Sequence, residues 1–254
     1  MSRGGSDGWM SGNPFVVTCE HASNRLPARH GRLGLEPARL SEHIAWDPGS
    51  REIARALAGG LGCPLHEGRY SRLLIDLNRN LRHPKLIVQR SFGVEIPGNQ
   101  NLDSLERERR VREYWAPYRE SVLSNMCSIV ERAGRCIHFG VHSFTPVVDG
   151  VERDVCVALL YDPSRGVELE IAAKMAASLE AGGVRVRRNY PYRGVSDGLV
   201  TACRRMFTVS AYAGIEIEVS QKLLASDQDA RRIAKALNAS VAALHAASFL
   251  NPSM

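Results

Sequence analysis

Aromatic side chains are scarce in this 254-residue chain: Phe, Trp and Tyr together make up 6% of it. That scarcity argues against extended aromatic stacking on nucleic acid. The six cysteines, at positions 19, 63, 127, 136, 156 and 203, include no Cys-x-x-Cys pair. The first dozen residues are rich in Gly and Ser and lack the apolar core of a secretory signal. Reduced thiols in a cytoplasmic protein are therefore expected, rather than a disulfide framework. No apolar stretch approaches the roughly 20 residues that a membrane span needs. Internal repeats are absent, and so is a compact metal signature such as His-Glu-x-x-His. The formal net charge is +6, but the arginines are spread along the chain rather than clustered. This spread argues against a nucleic-acid partner, and the charge itself serves either solubility alone or a field that attracts anionic substrates.

The chain does have an ordinary hydrophobic fraction, 44%, and a length that suits one large domain. Residues 1–13 read as a disordered leader and residues 14–250 as a single domain. Strands are expected at 14–19, 64–66, 72–77, 136–142, 154–161, 184–188 and 213–219. Between them run helical patterns. Ile53, Leu57 and Leu61 share one face of a helix that Asp47-Pro48 opens, with Asp47 as N-cap, and that Gly62 stops. Val111, Trp115, Tyr118, Val122, Ile129 and Ala133 mark a long helix that Pro117 should kink or split. Further helices are expected over 166–181 and from Ser226, where Ser-Asp-Gln-Asp makes a start resembling a capping box. Residues 80–101, rich in Pro, Gly, Asn and Arg, read as a long surface excursion of the kind that carries function. Strands alternating with helices define an α/β fold, a three-layer domain around a central mixed, largely parallel sheet.

Chemistry-bearing residues gather at the ends of the strand-like runs, where α/β proteins bind ligands. His21 follows Phe15-Val16-Val17-Thr18, and His142 follows Ile137 to Val141. Two strand-end histidines are candidate metal ligands, since zinc in catalytic sites takes three protein ligands and imidazole is a common donor. Asp47 is a candidate third ligand, with its capping role as the competing reading. Asn24 is another, with a simple turn before Pro27 as its alternative. Cys19 alternates with His21, which suggests a shared face and a thiolate nucleophile or zinc ligand. Otherwise it is a small buried strand residue. Arg72, Asn78 and Arg79 surround Leu73-Leu74-Ile75 and suit a carboxylate ligand, since the planar guanidinium matches that group. Their plain alternative is solvation plus an ion pair with Asp76. Glu216 and Glu218 alternate within an apolar run and so face the same side. A carboxylate there is costly unless it is paired or serves a site, for instance as a general base.

Five ordered motifs carry a resemblance. Cys-Glu-His-Ala-Ser-Asn-x-x-Pro (19–27), Trp-Asp-Pro-Gly-Ser (46–50), Ser-Arg-Leu-Leu-Ile-Asp-Leu-Asn-Arg (71–79), His-Ser-Phe-Thr-Pro (142–146) and Ile-Glu-Val-Ser-Gln (217–221) resemble the N-formylglutamate amidohydrolase family, in its less characterised branch. The resemblance implies a fold similar to zinc carboxypeptidases and aspartoacylases. It also implies hydrolysis of the amide of a small anionic N-acyl amino acid such as N-formyl-L-glutamate. Carried over to this chain, it implies zinc or another divalent ion on His21 and His142, with Asp47 or Asn24 completing the set. Glu218 is then the general base and Arg72 the oxyanion stabiliser, while Asn78, Arg79 and Ser143 bind substrate. One position departs from the carboxypeptidase-like pattern His-x-x-Glu, because Asn24 stands where those relatives have Glu. A neutral amide is a poorer ligand than a carboxylate. A cysteine-dependent amidase using Cys19 and a non-catalytic binder of small acidic ligands are the competing functions.

Overall fold

The computed structural model describes residues 12–148, 150–224 and 226–245. Most of the expected leader, residues 1–11, and the end of the expected domain beyond 245 lie outside the described residues. Six strands form the central sheet: β1 (Phe15–Cys19), β2 (Leu65–Glu67), β3 (Cys136–Phe144), β4 (Val157–Leu160), β5 (Val186–Arg188) and β6 (Tyr212–Ser220). Their order is β2-β1-β3-β6-β4-β5. Only the β6–β4 pair is antiparallel, so the sheet is mixed and mostly parallel. Helices α1 (Ser50–Leu61), α2 (Ala116–Ala133), α3 (Gly166–Ala181), α4 (Leu199–Met206) and α5 (Asp227–His245) cover both faces.

Alternation along the strands sorts side chains between these layers. Phe15, Val17 and Cys19 of β1 join Phe139 and Val141 of β3 and Ile215 and Ile217 of β6 against α1, α3 and α5. The expected helical stripes meet them there: Ile53, Leu57 and Leu61, then Ile171, Met175 and Leu179, then Ile233, Leu237, Val241 and Leu244. Val16, Cys136 and Tyr212 face the other way, against Val122, Met126 and Ile129 of α2 and Leu199 and Cys203 of α4. The capping-box start of α5 is present, with the Asp229 backbone N–H donating to Ser226 Oγ over 3.2 Å. Among the described residues no helix is long and apolar enough to cross a membrane.

Two local expectations need correction, and a third, the break at Pro117, takes a particular form. Asp47 is not the N-cap of α1: Gly49 holds that position, at φ 79°. This left-handed turn starts the helix two residues later and frees the Asp47 carboxylate. Residues 72–77 form no strand, although Leu73, Leu74 and Ile75 are buried as expected. A short buried apolar run does not by itself distinguish a strand from a turn. Here side chains satisfy the backbone in place of a ladder. Asn99 donates to Leu73 O over 2.8 Å and Arg110 donates to Leu74 O over 3.0 Å. The long helical segment is interrupted next to Pro117: a π-helical turn, Val111–Trp115, separates a short α-helix at Ser104–Arg110 from α2. That wider turn accommodates the missing N–H of Pro117 near the start of α2.

The start of β6, the strand that carries Glu216 and Glu218, is held by a buried clamp. Glu168 of α3 accepts from Arg204 Nε over 3.0 Å and from the Gly214 backbone N–H over 3.0 Å. Arg204 in turn donates to Gly214 O over 2.9 Å. Glu168 is fully buried. Breaking a buried pair by removing one charge strands the other, which typically costs about 3–5 kcal/mol. Glu168→Gln is accordingly expected to lose about 3–5 kcal/mol of stability in urea denaturation. A loss under about 1 kcal/mol, the scale of an exposed pair, would show that the clamp does not hold the strand.

Candidate metal centre and active site

Past the carboxyl end of β1, and at the carboxyl ends of β3 and β6, the chain opens on a cavity of about 450 Å³. His21 enters from just beyond β1, His142 from β3, Glu216 and Glu218 from β6, and Asp47 from the turn before α1. The parallel register sets Glu218 beside His142. The buried turn 71–80 contributes Arg72, Asp76, Asn78 and Arg79 from one side.

His21, Asp47 and His142 form a buried donor group whose ligand atoms lie within 4.8 Å of one another. Asp47 Oδ2 is 3.2 Å from His21 Nδ1 and 3.0 Å from His142 Nδ1, so one carboxylate oxygen meets two imidazoles. The opposite ring nitrogens also face carboxylates. His21 Nε2 is 2.7 Å from Asp76 Oδ1, and His142 Nε2 is 3.1 Å from Glu20 Oε2. Arg72 Nη1 donates to Asp47 Oδ1 over 3.0 Å, and its Nη2 is 3.6 Å from Asp76 Oδ2.

Burial alone would push both imidazoles towards neutrality. The surrounding carboxylates outweigh it, raising His21 and holding His142 well above the ordinary histidine range. Burial likewise opposes ionisation of Asp47, but His21 and Arg72 overcome it and hold that carboxyl well below its usual range. The surroundings therefore favour positive charge at both imidazoles. Two nitrogens and one oxygen, partnered on their outer sides by carboxylates, fit the donor preferences of zinc and similar divalent ions. A divalent ion would supply positive charge at the same place.

Glu218 is raised from 4.5 to about 7, chiefly by burial, with His142 partly opposing. Its Oε2 is buried and has no hydrogen-bond partner among the described residues. Such an orphaned acceptor suits a group whose partner arrives with the reaction. Glu216 is also raised, again mainly by burial. The remaining candidates are firmly held. Asn78 Oδ1 accepts from the Leu199 N–H at the start of α4 over 2.7 Å, and Arg79 Nη1 donates to Asp197 O over 2.7 Å. Ser143 lines the cavity and donates to Pro48 O over 2.8 Å.

Two candidates stand apart. Asn24 is half-buried and is not among the residues that line this cavity. Cys19 shares no face with His21: its thiol points into the core, 3.2 Å from Ser50 Oγ, while His21 turns into the cavity beyond the strand end. Burial pushes the Cys19 thiol far above its ordinary value, the reverse of what a thiolate nucleophile needs. The sequence pattern gives Glu20 no separate role, and places Asp76 among the chemistry-bearing residues around Leu73-Leu74-Ile75 with an ion pair as its one specific use. The available signal was a carboxylate next to or inside an apolar run, the same signal that singled out Glu216 and Glu218. From the 80–101 excursion, Lys85, Val88, Ser91 and Phe92 also line the cavity.

A mixed sheet that ends in a His–Asp–His group beside a buried carboxylate can hold a divalent ion next to a candidate base. The sequence pattern of the N-formylglutamate amidohydrolase family matches residues 13–225. The chain belongs to that family. A crystal structure of a gene product from Agrobacterium tumefaciens is similar, with 32% identity, a TM-score of 0.81, and coverage of 93% of this chain and 92% of the other. The N-formylglutamate amidohydrolase of Ralstonia eutropha JMP134 shares the fold, with 18% identity, a TM-score of 0.69, and 96% of each chain covered. No protein of curated function matches the chain.

The raised Glu218 has a consequence for stability. A carboxyl at about 7 in the folded state and 4.5 in the unfolded state binds its proton more tightly when folded. Its ionisation therefore opposes folding, with no penalty below the lower value and the full penalty above the upper one. In metal-free protein, Glu218→Gln is expected to raise stability by about 3 kcal/mol at about pH 8 and by little at about pH 4. Thermal melts at both pH values check this, and an equal gain at both would contradict it.

Proposed function

We propose that this chain hydrolyses the amide of a small anionic N-acyl amino acid, with N-formyl-L-glutamate as the substrate its family suggests, giving formate and glutamate. The observation that carries this reading is the pairing in one cavity of a His21–Asp47–His142 donor group with Glu218, a buried carboxylate of raised pKa and unpartnered oxygen. A divalent ion such as zinc on His21, Asp47 and His142 would polarise the acyl carbonyl and acidify the attacking water. Glu218 takes a proton from that water as its oxygen adds to the acyl carbon. Arg72, anchored on Asp47, donates to the developing oxyanion. Asn78 and Arg79 hold the substrate carboxylate, with Ser143 completing the wall. The C–N bond then breaks, and Glu218 passes its proton to the leaving nitrogen, so water is divided between acid and amine products. Six free thiols support a reducing, cytoplasmic setting.

The direct test is formate release from N-formyl-L-glutamate by full-length protein stripped of metal and reloaded with zinc. Release that requires the metal is the expected result; none under either condition would reject this substrate. Glu218→Gln is expected to lower kcat about 10²–10⁴-fold, the usual contribution of a general base. Full turnover in that variant would remove Glu218 from the role. Arg79→Ala is expected to raise KM about 10–100-fold by deleting a charge-assisted contact. An unchanged KM would assign the carboxylate to another group.

A further inference from the structure

The deepest carboxylate near the cavity is not one of those that line it. Glu20 follows Cys19 at the end of β1 and turns to the opposite side of the sheet, towards α2. There it is 1% exposed. Gly68 crosses the Glu20 backbone: a Cβ at that position would stand 1.9 Å from the Glu20 carbonyl O, so only glycine lets the chain after β2 pass so closely. Burying a carboxylate is expensive unless it is paired and hydrogen-bonded. Among the described residues no lysine or arginine pairs with Glu20; its ion-pair partner is His142. Tyr118 OH of α2 donates to Glu20 Oε1 over 3.1 Å, leaving Oε2 facing His142 Nε2 at 3.1 Å. By distance that contact is an ion pair, but the ring N–H is not aimed squarely at the oxygen, and no other acceptor bonds this nitrogen.

We propose that Glu20, oriented by Tyr118, is the positioning residue for His142 as a metal ligand. Its carboxylate is placed to accept a hydrogen bond from Nε2–H, which leaves Nδ1, on the Asp47 side, to the cation. This rests on the reading of His21, Asp47 and His142 as a metal centre. The logic is that of a ring with two nitrogens: once Nδ1 serves a cation, Nε2 must carry the proton, and a proton in the interior needs an acceptor. Asp76 occupies the matching position on His21, but it also accepts from the Asn78 N–H and lies near Arg72 and Arg79. Glu20 makes no such contacts with the substrate-side residues, so its effect should fall on the metal alone.

The test is zinc affinity of the full-length protein, measured by competition with a chromogenic chelator for wild type, Glu20→Gln, Tyr118→Phe and Ser240→Ala. Ser240 is the control, since its buried hydroxyl donates to Leu237 O within α5 over 2.7 Å and does not line the cavity. Glu20→Gln is expected to bind zinc about 10–100-fold more weakly. Tyr118→Phe should weaken it a few-fold and Ser240→Ala should leave it unchanged, even where melting temperature falls. Wild-type affinity in Glu20→Gln, or an equal loss in Ser240→Ala, would overturn the proposal. If Glu20→Gln does not fold, Tyr118→Phe decides: a weakened affinity supports the role, and an unchanged one rejects it. A wild-type protein that binds no zinc would instead sink the metal-centre reading, and this proposal with it.

Discussion

The contact on which the rest of the site depends is that of one carboxylate oxygen, Asp47 Oδ2, with two imidazoles from strands apart in sequence. Three buried ionisable groups at this spacing are tolerable only because each is neutralised by another. Arg72 balances Asp47 from the solvent side, while Asp76 and Glu20 balance the outer nitrogens of the two rings. Removing any of these charges strands the others. The cluster is therefore a constraint on the fold as well as a place for a ligand. Gly49 shows the constraint in the backbone, since its left-handed turn delays the start of α1 so that Asp47 turns inward.

Around that contact the protein uses side chains where regular structure would not serve. The turn 71–80 must bring Arg72, Asp76, Asn78 and Arg79 to one cavity wall, and no strand puts four such neighbours on one side. Its buried carbonyls are paid for instead by Asn99, Arg110 and Arg119, the last donating to Leu77 O over 3.1 Å. The clamp of Glu168 and Arg204 does the corresponding work for β6, fixing the strand that carries Glu218. Rigid walls of this kind preserve the spacing between Glu218, the His21–Asp47–His142 group and the wall that carries Arg72 and Arg79, as catalysis by orientation would require.

Much of this was legible in the sequence, for identifiable reasons. His21, His142 and Glu218 each stood out because a polar group ended or interrupted an apolar run, and burial makes that pattern costly without a purpose. The stripes on α1, α3 and α5 read directly from helical spacing and pack as expected. Asp47 supported two readings, ligand and helix cap, because both need an aspartate before Pro48; only the φ of Gly49 separates them. Residues 72–77 read as a strand because hydrophobicity reports burial and not backbone form. The roles of Glu20 and Asp76 went unrecognised because their meaning lies in distant partners: His142 and Glu20 meet only once β3 is laid beside β1.

The central claim is that two histidines and an aspartate, without a thiol, hold a divalent ion. Zinc K-edge X-ray absorption on the zinc-loaded, full-length protein tests it most directly. The account predicts only nitrogen and oxygen neighbours at about 2.0–2.2 Å, with the outer-shell scattering of two imidazoles. A sulfur neighbour at about 2.3 Å would bring Cys19 into the site and contradict the account, as would zinc that washes out of the protein unbound.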